Sequence, residues 1–277
     1  MLGLKYKNQE RIFEEKESGG VPYLSYPVFE ELGIVSHGFS TRLGGVSRGN
    51  CATMNLSTTR GDDPAAVAEN TRRIAAAIGV DPSDMVYTHQ THTTNVAVVG
   101  EGDRGKRFMD TDGMVTDVPG ICLVTFYADC VPLYFVDPVK KAVGLSHSGW
   151  RGTVGRMGKV TVEKMHEAFG SRPEDIFAAI GPSICQDCYE VSGDVIDRFS
   201  ENFRQEVLPE LFYRKENGKY QLDLWRANEE VLLEAGVRKE RITVTNVCTH
   251  CNPDILFSHR SLGDKRGNLS AFLALKK

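Results

Sequence analysis

Three closely spaced apolar runs constrain the fold of this chain more than any other feature. They span residues 121–127, 131–136 and 142–145 and are rich in β-branched and aromatic side chains. Only short turn or polar segments separate them, which is typical of buried strands that follow one another along the chain. We therefore predict three neighbouring buried strands, around which the rest of the chain must be arranged.

Helical patterns alternate with these strands. Residues 64–78 predict a helix, because Asp62 and Asp63 supply capping groups, Pro64 suits the first turn and Gly79 ends the pattern. Further helices are predicted over 153–169, 192–203 and 222–235, and further strands over 86–87, 96–99, 176–180 and 241–247. The alternation favours an α/β or α+β layered sandwich, with mixed sheets flanked by helices. The absence of a linker favours one domain over residues 1–277.

The composition and charge of the chain argue against several classes of function. The 277 residues include 37 acidic and 33 basic side chains, a formal charge of −4, so no strongly basic surface suggests a nucleic-acid partner. No apolar stretch approaches the roughly 20 residues that span a bilayer. Residues 1–13 carry charges where a signal peptide has its apolar segment. We expect a cytoplasmic protein without membrane partners.

Cysteine usage raises the question of metal binding. An odd number of cysteines, seven, without a secretion signal favours free thiols or metal ligands over disulfides. Cys185 and Cys188 form one C-x-x-C pair, and Cys248 and Cys251 form another. Together they could supply a tetrahedral zinc site, but their separation exceeds the roughly 15–20 residues typical of such sites. A structural zinc site and partly buried free thiols remain equal alternatives.

Reactive side chains collect at the ends of the predicted strands. Cys130 follows Asp129 between two of the apolar runs, and His147 follows the third run. His92 follows another strand and could converge on the same place. Thiolate and imidazole are preferred donors for Zn²⁺, and three ligands leave one position open. Two alternatives remain: Cys130 and His147 have only structural roles, or they form a nucleophilic pair without metal.

Two arginines are candidates for binding an anion. Arg42 lies in a glycine-rich polar loop, residues 37–47, which also contains Ser40. Glycines let backbone N–H groups approach an anion, and a guanidinium can bind it through two hydrogen bonds. Arg260 is a second candidate of the same kind. A solvated arginine beside a tight turn is the more common explanation of such a pattern.

A set of motifs gives these residues a common context. In chain order they are His37-Gly-Phe-Ser-Thr-Arg42, Gln90-Thr-His92, Thr111-Asp112-Gly, Ala128-Asp129-Cys130, His147-Ser-Gly-Trp-Arg-Gly-Thr153, Gly181-Pro-Ser-Ile184 and Phe257-Ser-His-Arg260. This set resembles the YfiH/YlmD family, formerly called multicopper polyphenol oxidoreductases or laccase-domain proteins and now described as purine nucleoside phosphorylases. The resemblance spans about residues 35–260 and is close to the bacterial YlmD branch.

The resemblance implies a fold, a cofactor and an activity. The fold would be related to the cysteine-hydrolase-like fold of cytotoxic necrotizing factor toxins. Zn²⁺ would be held by His92, Cys130 and His147, with His89 as the alternative first ligand. The activity would be phosphorolysis of adenosine, inosine, guanosine and methylthioadenosine, together with deamination of adenosine, so the partners would be purine nucleosides and phosphate. Cys185 and Cys188 lie where we expect varied residues, and the resemblance implies no second metal site.

Within that activity each polar residue receives an expected role. Arg42 with Ser40 is expected to bind phosphate, and Arg260 is the alternative. Asp129 is expected to move a proton, or else to cap a turn. Asp112 is expected either to bind ribose or to hold a turn.

Other functions remain open beside this one. Cys130 and His147 could act as a metal-free hydrolase or deamidase, or the family's older name could reflect copper-dependent oxidation of polyphenols. A structural metalloprotein or cell-division partner is the alternative without catalysis. The oligomeric state is left open.

Overall fold

The computed structural model describes residues 2–277, which form strands and helices in alternation. The strands are β1 (Glu14–Ser18), β2 (Val21–Ser25), β3 (Val35–Ser40), β4 (Met85–Thr88), β5 (Val96–Val98), β6 (Arg107–Phe108), β7 (Gly113–Thr116), β8 (Cys122–Tyr127), β9 (Val131–Asp137), β10 (Ala142–Ser148), β11 (Phe177–Ile180), β12 (Glu190–Val191), β13 (Phe212–Arg214), β14 (Tyr220–Leu222), β15 (Ile242–Val244) and β16 (Leu269–Leu275). The helices are α1 (Pro27–Leu32), α2 (Pro64–Ile78), α3 (Trp150–Val154), α4 (Met157–Phe169), α5 (Gly193–Asn202), α6 (Leu208–Leu211), α7 (Leu224–Glu234) and α8 (His259–Leu262).

The strands form two large mixed sheets and one small sheet. The first large sheet has the strand order β1-β2-β3-β16-β8-β4-β6, and the second has the order β15-β11-β9-β10-β7-β5. In the first sheet β4 runs parallel to both β8 and β6, while the other pairs are antiparallel. In the second, β5 and β15 make the parallel pairs at the two edges. The small sheet has the order β12-β14-β13.

The two large sheets pack face to face and share one core. Leu123 of β8 and Leu273 of β16 belong to the same buried cluster as Tyr134 of β9 and Leu145 of β10. The Tyr134 hydroxyl crosses this interface and donates a hydrogen bond to the carbonyl oxygen of Gly38 at 3.0 Å. This common core supports the proposal that the chain is one domain.

Helices cover the outer faces of both sheets. On the first sheet, Ile74 and Ile78 of α2 pack against Met85 and Val124. On the second, α4, α5 and α7 pack on the side that carries Leu133 and Phe135 of β9, around a second apolar cluster. Strands covered on both faces must be apolar at every position, which explains the uninterrupted runs in the sequence. The predicted mixed sheets flanked by helices are confirmed.

The structure corrects the predicted neighbourhood of the three apolar runs. β9 and β10 pair antiparallel as expected, but β8 pairs with β16 and β4 in the other sheet. The residues between β8 and β9 therefore cross from one sheet to the other instead of forming a hairpin. The last strong strand is β16, while the predicted strand over 241–247 is reduced to the three residues of β15.

The helix predictions hold with one correction. The predicted helix over 64–78 is confirmed with those bounds, and Asp63 accepts a hydrogen bond from the Ala65 N–H at its start. The predicted helix over 153–169 is two helices, α3 and α4, because Arg156 has a left-handed φ of 62°. A Cβ on Gly155 would lie 2.8 Å from Thr94 Cγ2, so this break lets the chain pass close to the loop that carries His92. No helix within residues 2–277 combines the length and the apolar character needed to cross a membrane.

Truncation of the central strand β16 should destabilise the protein. Leu273 is fully buried and its backbone lies between His37 of β3 and Leu123 of β8. We expect Leu273→Ala to lower the free energy of unfolding by about 2–5 kcal/mol, through lost burial and the cavity left behind. Urea denaturation measures the change.

The control for this variant is Val139→Ala in the turn after β9, where the side chain is 63% exposed. It should change the free energy of unfolding by less than about 0.5 kcal/mol. Equal losses from the two variants would contradict the placement of β16 in the core.

Candidate active site

The structure brings three predicted site residues together. The donor atoms of His92, Cys130 and His147 all lie within 4.8 Å of one another. The two imidazole rings are nearly perpendicular, at 83°, with centroids 5.0 Å apart. We call these three residues the Cys–His cluster.

The cluster lies where the chain passes between the two large sheets. His92 is in the loop from β4 of the first sheet to β5 of the second, and Cys130 is in the short crossing from β8 to β9. His147 is near the end of β10, beside β9. Two sheet crossings and one strand end therefore place side chains from distant parts of the sequence at one point.

Left-handed backbone occurs at both crossings. His92 has a φ of 63° and Asp129, next to Cys130, has a φ of 86°. Such a conformation at a residue other than glycine costs about 1–3 kcal/mol and persists only where surrounding contacts fix it. Here Asp112 fixes the His92 turn, and contacts to the Asp129 carboxylate fix the second crossing.

Asp112 is the carboxylate that holds two parts of the cluster. It is fully buried and accepts hydrogen bonds from the backbone N–H groups of Thr91, His92 and Thr93 at 3.0–3.1 Å. Its Oδ1 also lies 2.8 Å from Nδ1 of His147. This contact leaves the Nε2 atom of His147 free to bind a metal ion, an arrangement typical of metal-binding histidines. Asp112 thus holds a turn, one of its two expected roles.

The charges of this network shift the pKa values of its members. Burial opposes ionisation of Asp112, but the hydrogen bond and the charge of His147 outweigh it and lower the pKa of the carboxyl to about 2. Burial likewise opposes ionisation of Cys130, yet His147 and His92 lower the pKa of its thiol to about 6. For His147, burial is outweighed by Cys130 and Asp112, which raise its pKa to about 9. Without a metal, Cys130 and His147 therefore form a thiolate–imidazolium pair at neutral pH.

The donor set of the cluster fits a metal ion. Two imidazoles and one thiolate suit Zn²⁺, and three protein ligands are the number found in catalytic zinc sites. Gly149 makes room for this arrangement, because a Cβ there would lie 3.0 Å from Cys130 Sγ and 3.2 Å from His92 Cδ2. A side chain at this position would therefore crowd the thiolate and the imidazole, and one of them would have to shift.

An apolar cavity of about 300 Å³ opens on one side of the cluster. Trp150, Ile184, Tyr189 and Leu224 give it aromatic and aliphatic walls. Its polar lining includes Asp129, Arg151, His259, Arg260 and Arg266. A cavity of this size, with mostly apolar walls and a few polar groups, is typical of sites that bind small organic molecules.

A second cavity of about 300 Å³, which shares His92, Cys130 and Arg266 with the first, is polar and basic. Arg60, Arg107 and Arg266 line it together with small polar side chains. Among residues 2–277, Nε of Arg60 and Nε of Arg266 have no hydrogen-bond partner. Burial first and then the neighbouring charge of Arg60 lower the pKa of Arg266 to about 10. Arg60 also lies 3.8 Å from Asp264, and Arg266 donates to Gly267, so each guanidinium keeps only part of its hydrogen-bonding capacity. Three arginines lining one cavity nevertheless make it suitable for an anion.

Asp129 and Arg260 lie together in the wall of the apolar cavity. The Asp129 carboxylate accepts a hydrogen bond from the Thr249 hydroxyl and another from the Arg260 backbone N–H, each at 2.6 Å. The guanidinium of Arg260 donates to the carbonyl oxygens of Cys188 and Glu190. Both residues therefore lie beside the cluster. Bonds within the protein already use part of the hydrogen-bonding capacity of their side chains.

Arg42 and Ser40 are placed elsewhere. The guanidinium of Arg42 donates to the carbonyl oxygens of Ala52 and Pro253 and stacks on the Phe257 ring at 4.6 Å. Ser40 is fully buried and accepts a hydrogen bond from the Ser270 N–H. Neither is among the described residues that line the two cavities beside the cluster. His89, the alternative ligand, lines the basic cavity but is not grouped with the described donor atoms of the cluster.

Sequence reasoning missed the arginines of the basic cavity. Arg60 precedes Gly61 and Arg266 precedes Gly267, so each has the same local signal that drew attention to Arg42. Gly267 packs tightly, since a Cβ there would lie 2.7 Å from the Phe257 ring. The sequence alone does not show that these two turns meet beside Cys130.

Known proteins with similar sequences and structures support this description. The multi-copper polyphenol oxidoreductase laccase family matches residues 36–276. The purine nucleoside phosphorylase YlmD of Bacillus subtilis is 37% identical over 251 residues, 87% of this chain and 88% of that protein. The adenosine deaminase RL5 of an unknown prokaryotic organism is 38% identical over 238 residues, 83% of this chain and 90% of that protein. The crystal structure of YfiH from Bacillus licheniformis superimposes with a TM-score of 0.90 at 32% identity, covering 96% of this chain and all of that one.

The fold and the site together define a class of protein, a mixed α/β sandwich with a Cys–His candidate metal site at which two cavities adjoin. Within that class, the chain belongs to the laccase-like YfiH/YlmD family, as its motifs predicted. Relatives in this family carry the names purine nucleoside phosphorylase and adenosine deaminase, so an enzyme is plausible here.

A side chain at position 149 should disrupt the cluster. We expect Gly149→Ala to lower zinc affinity at least about tenfold, the size of effect seen when the surroundings of metal ligands are disturbed, because the new methyl group displaces Cys130 or His92. Competition with a zinc chelator measures the affinity.

The matched control lies three residues further on, where a Cβ on Gly152 would make only ordinary contacts of 3.5 Å or more. Gly152→Ala should therefore bind zinc like the wild type. Wild-type affinity in Gly149→Ala would show that the cluster is looser than described.

The thiol of Cys130 should be reactive at low pH in metal-free protein. Its pKa of about 6 means that the rate of alkylation rises through pH 6 and levels off by about pH 8. An ordinary thiol, with a pKa near 8.5, keeps gaining reactivity well above that pH. Mass spectrometry of the peptide that contains Cys130 follows the reaction, and zinc should suppress it. A midpoint near pH 9 would contradict the ion pair with His147.

Proposed function

We propose that this protein is a zinc-dependent purine nucleoside phosphorylase that also deaminates adenosine. One observation carries the proposal: His92, Ala128, Cys130 and Arg266 line both cavities, so an apolar site and a candidate anion site adjoin at the Cys–His cluster. Phosphorolysis needs the purine nucleoside and the phosphate ion next to each other, which two adjoining cavities can provide. The names of relatives, purine nucleoside phosphorylase and adenosine deaminase, support the same activities.

The apolar cavity is the proposed site for the purine base. Trp150 and Tyr189 offer aromatic faces, and Leu224 adds aliphatic surface. The Asp129 carboxylate lies in the same wall and has lone pairs left beyond its bonds to Thr249 and Arg260. The departing purine must take up a proton, which the attacking hydrogen phosphate ion loses, and Asp129 is the proposed group that relays it.

The basic cavity is the proposed site for phosphate. Arg60, Arg107 and Arg266 line this cavity and bring three positive charges to it. In phosphorolysis a phosphate oxygen forms a bond to C1′ of the ribose while the bond from C1′ to the purine nitrogen breaks. The arginines hold the phosphate beside the ribose, and their charge lowers the repulsion that the anion would meet elsewhere. This assignment replaces Arg42 and Ser40, whose polar groups are bound by the protein itself.

The Cys–His cluster is the proposed zinc site. His92, Cys130 and His147 would hold the ion, and Asp112 would keep the His147 ring in place. Bound Zn²⁺ supplies Lewis-acid chemistry, which both purine departure and hydrolytic deamination can use. Copper is the alternative metal for the same donors, as the older family name suggests. Metal analysis of the purified protein decides between them.

A metal-free hydrolase or deamidase is the second candidate, and one observation favours it. Cys130, His147 and Asp112 form a chain of thiol, imidazole and carboxylate, the order found in cysteine-dependent hydrolases. The predicted kinship with the fold of cytotoxic necrotizing factor toxins would agree with this chemistry and stays a prediction. The two candidates differ in their response to chelators, which should abolish zinc-dependent turnover and leave thiol-dependent turnover unchanged.

The range of nucleosides named above and a cytoplasmic location also stay predictions. Adenosine, inosine, guanosine and methylthioadenosine share the purine ring that the apolar cavity is proposed to bind, so the described contacts do not rank them.

Loss of one arginine should separate the two activities. We expect Arg60→Gln, which changes an arginine that lines the basic cavity and not the apolar one, to raise the KM for phosphate by about ten- to a hundredfold, because a charge-assisted hydrogen bond contributes about 1.5–3 kcal/mol. Deamination of adenosine uses water, and its kcat/KM should change less than about threefold. Release of hypoxanthine from inosine at varied phosphate measures the first effect, and conversion of adenosine to inosine without phosphate measures the second.

Two further variants control this experiment. Arg48→Gln changes an exposed arginine and should leave both activities as they are. Arg42→Gln should lower the unfolding temperature through its lost bonds to Ala52 and Pro253 without raising the KM for phosphate. A rise of that KM in Arg42→Gln and not in Arg60→Gln would place the phosphate in the glycine-rich loop instead. Absence of any phosphate-dependent turnover by the metal-loaded protein would refute the phosphorylase proposal.

A further inference from the structure

A second group of metal-binding side chains lies outside the Cys–His cluster. The four Sγ atoms of Cys185, Cys188, Cys248 and Cys251 all lie within 4.8 Å of one another. In a tetrahedral zinc site with Zn–S bonds of about 2.3 Å, neighbouring sulfur atoms are about 3.8 Å apart. The Sγ atoms of Cys188 and Cys251 are 3.5 Å apart, near that spacing and well beyond the roughly 2.05 Å of a disulfide.

Backbone contacts hold the two C-x-x-C segments side by side. Ser183 and Cys248 form an isolated parallel bridge, and the Thr249 N–H donates to the carbonyl oxygen of Ser183 at 3.1 Å. The Cys185 N–H points at Cys248 Sγ at 3.3 Å. Backbone N–H donors to sulfur stabilise thiolates, the form in which cysteine binds a metal.

The surroundings suit a structural metal site. Cys185 and Cys248 are buried, and Ile184, Tyr189 and Trp225 pack around the group. Four thiolates around Zn²⁺ leave a net charge of −2, and the Lys7 ammonium, paired with Asp187 between the first two cysteines, brings a positive charge to it. With all four positions filled by sulfur, such a site has no place for substrate.

We propose that Cys185, Cys188, Cys248 and Cys251 bind one structural Zn²⁺ ion, separate from the Cys–His cluster. This site joins two segments that are distant in sequence and have little regular secondary structure of their own. It also supports the wall of the apolar cavity. The carbonyl oxygen of Cys188 accepts from Arg260, the Thr249 hydroxyl donates to Asp129, and the Ile184 N–H donates to the Asp129 carbonyl oxygen.

Zinc stoichiometry tests this proposal independently of the first site. In protein purified under reducing conditions, Cys130→Ala removes a ligand of the Cys–His cluster and should leave one zinc per chain. Adding Cys188→Ser or Cys251→Ser should reduce that to none, whereas Cys51→Ser, at a cysteine outside both groups, should leave it at one. If the Cys–His cluster binds no zinc, the wild type also holds one ion, and it is still lost with Cys188→Ser.

X-ray absorption at the zinc edge identifies the ligands without altering the four cysteines. In Cys130→Ala the remaining zinc should show four sulfur neighbours at about 2.3 Å. In the same Cys130→Ala background, Cys251→His replaces one thiolate by an imidazole, which zinc also accepts. The double variant should therefore retain the ion, with three sulfur neighbours and one nitrogen. The histidine variant tests the site even if the serine variants fail to fold.

Several results would overturn the proposal. One is a Cys130→Ala protein that is folded and reduced but contains no zinc after exposure to excess zinc. In that protein the thiols of all four cysteines would react with a thiol reagent. Another is the finding of disulfides among these four cysteines in protein purified without oxidant. A third is a zinc spectrum with fewer than four sulfur neighbours in Cys130→Ala.

Discussion

The buried carboxylate of Asp112 is the interaction on which the site depends. It binds three consecutive backbone N–H groups of the His92 turn and also the imidazole of His147, which comes from a strand of the second sheet. A buried charge is stable only when its hydrogen bonds are satisfied, and here those bonds serve to fix the positions of two candidate ligands. The left-handed backbone at His92 is held in the same way. Replacing this carboxylate would therefore disturb the loop, the ring and the charge balance of Cys130 together.

Local sequence patterns predicted the helices and strands better than they predicted which strands pair with one another. The helix over 64–78 has a capping residue, a proline and a terminal glycine, and its bounds were predicted correctly. β8 was assigned to the wrong neighbours because the residues after it cross between sheets, and nothing local distinguishes a crossing from a hairpin. β16 was missed, since Leu, Ala and Ser in residues 269–275 lack the β-branched residues that mark strands. Long-range pairing decides such cases.

In the candidate site, too, local patterns predicted some residues, whereas others depend on tertiary packing. His92, Cys130 and His147 stand in motifs that follow strands, so their convergence could be expected from the sequence, but the resemblance to the family and not their spacing assigned them as one ligand set. Arg42 stands in an equally suggestive glycine-rich loop, but its guanidinium is satisfied by carbonyl oxygens that no sequence pattern reveals. Arg60 and Arg266 lie in loops distant in sequence, and only the packing of those loops creates the basic cavity. Whether an arginine serves the fold or a ligand depends on which partners tertiary structure gives it.

The position of the Cys–His cluster between the sheets has a consequence for the whole molecule. Because its residues come from two sheet crossings and a strand end, the cluster forms only when both sheets are packed together. A ligand that binds the folded state alone stabilises it by an amount that grows with ligand concentration, about 4 kcal/mol at a thousand times the dissociation constant. That gain is comparable with much of the net stability of an ordinary domain. The supply of metal would then govern how long the chain survives unfolding and proteolysis, as well as whether it turns over substrate.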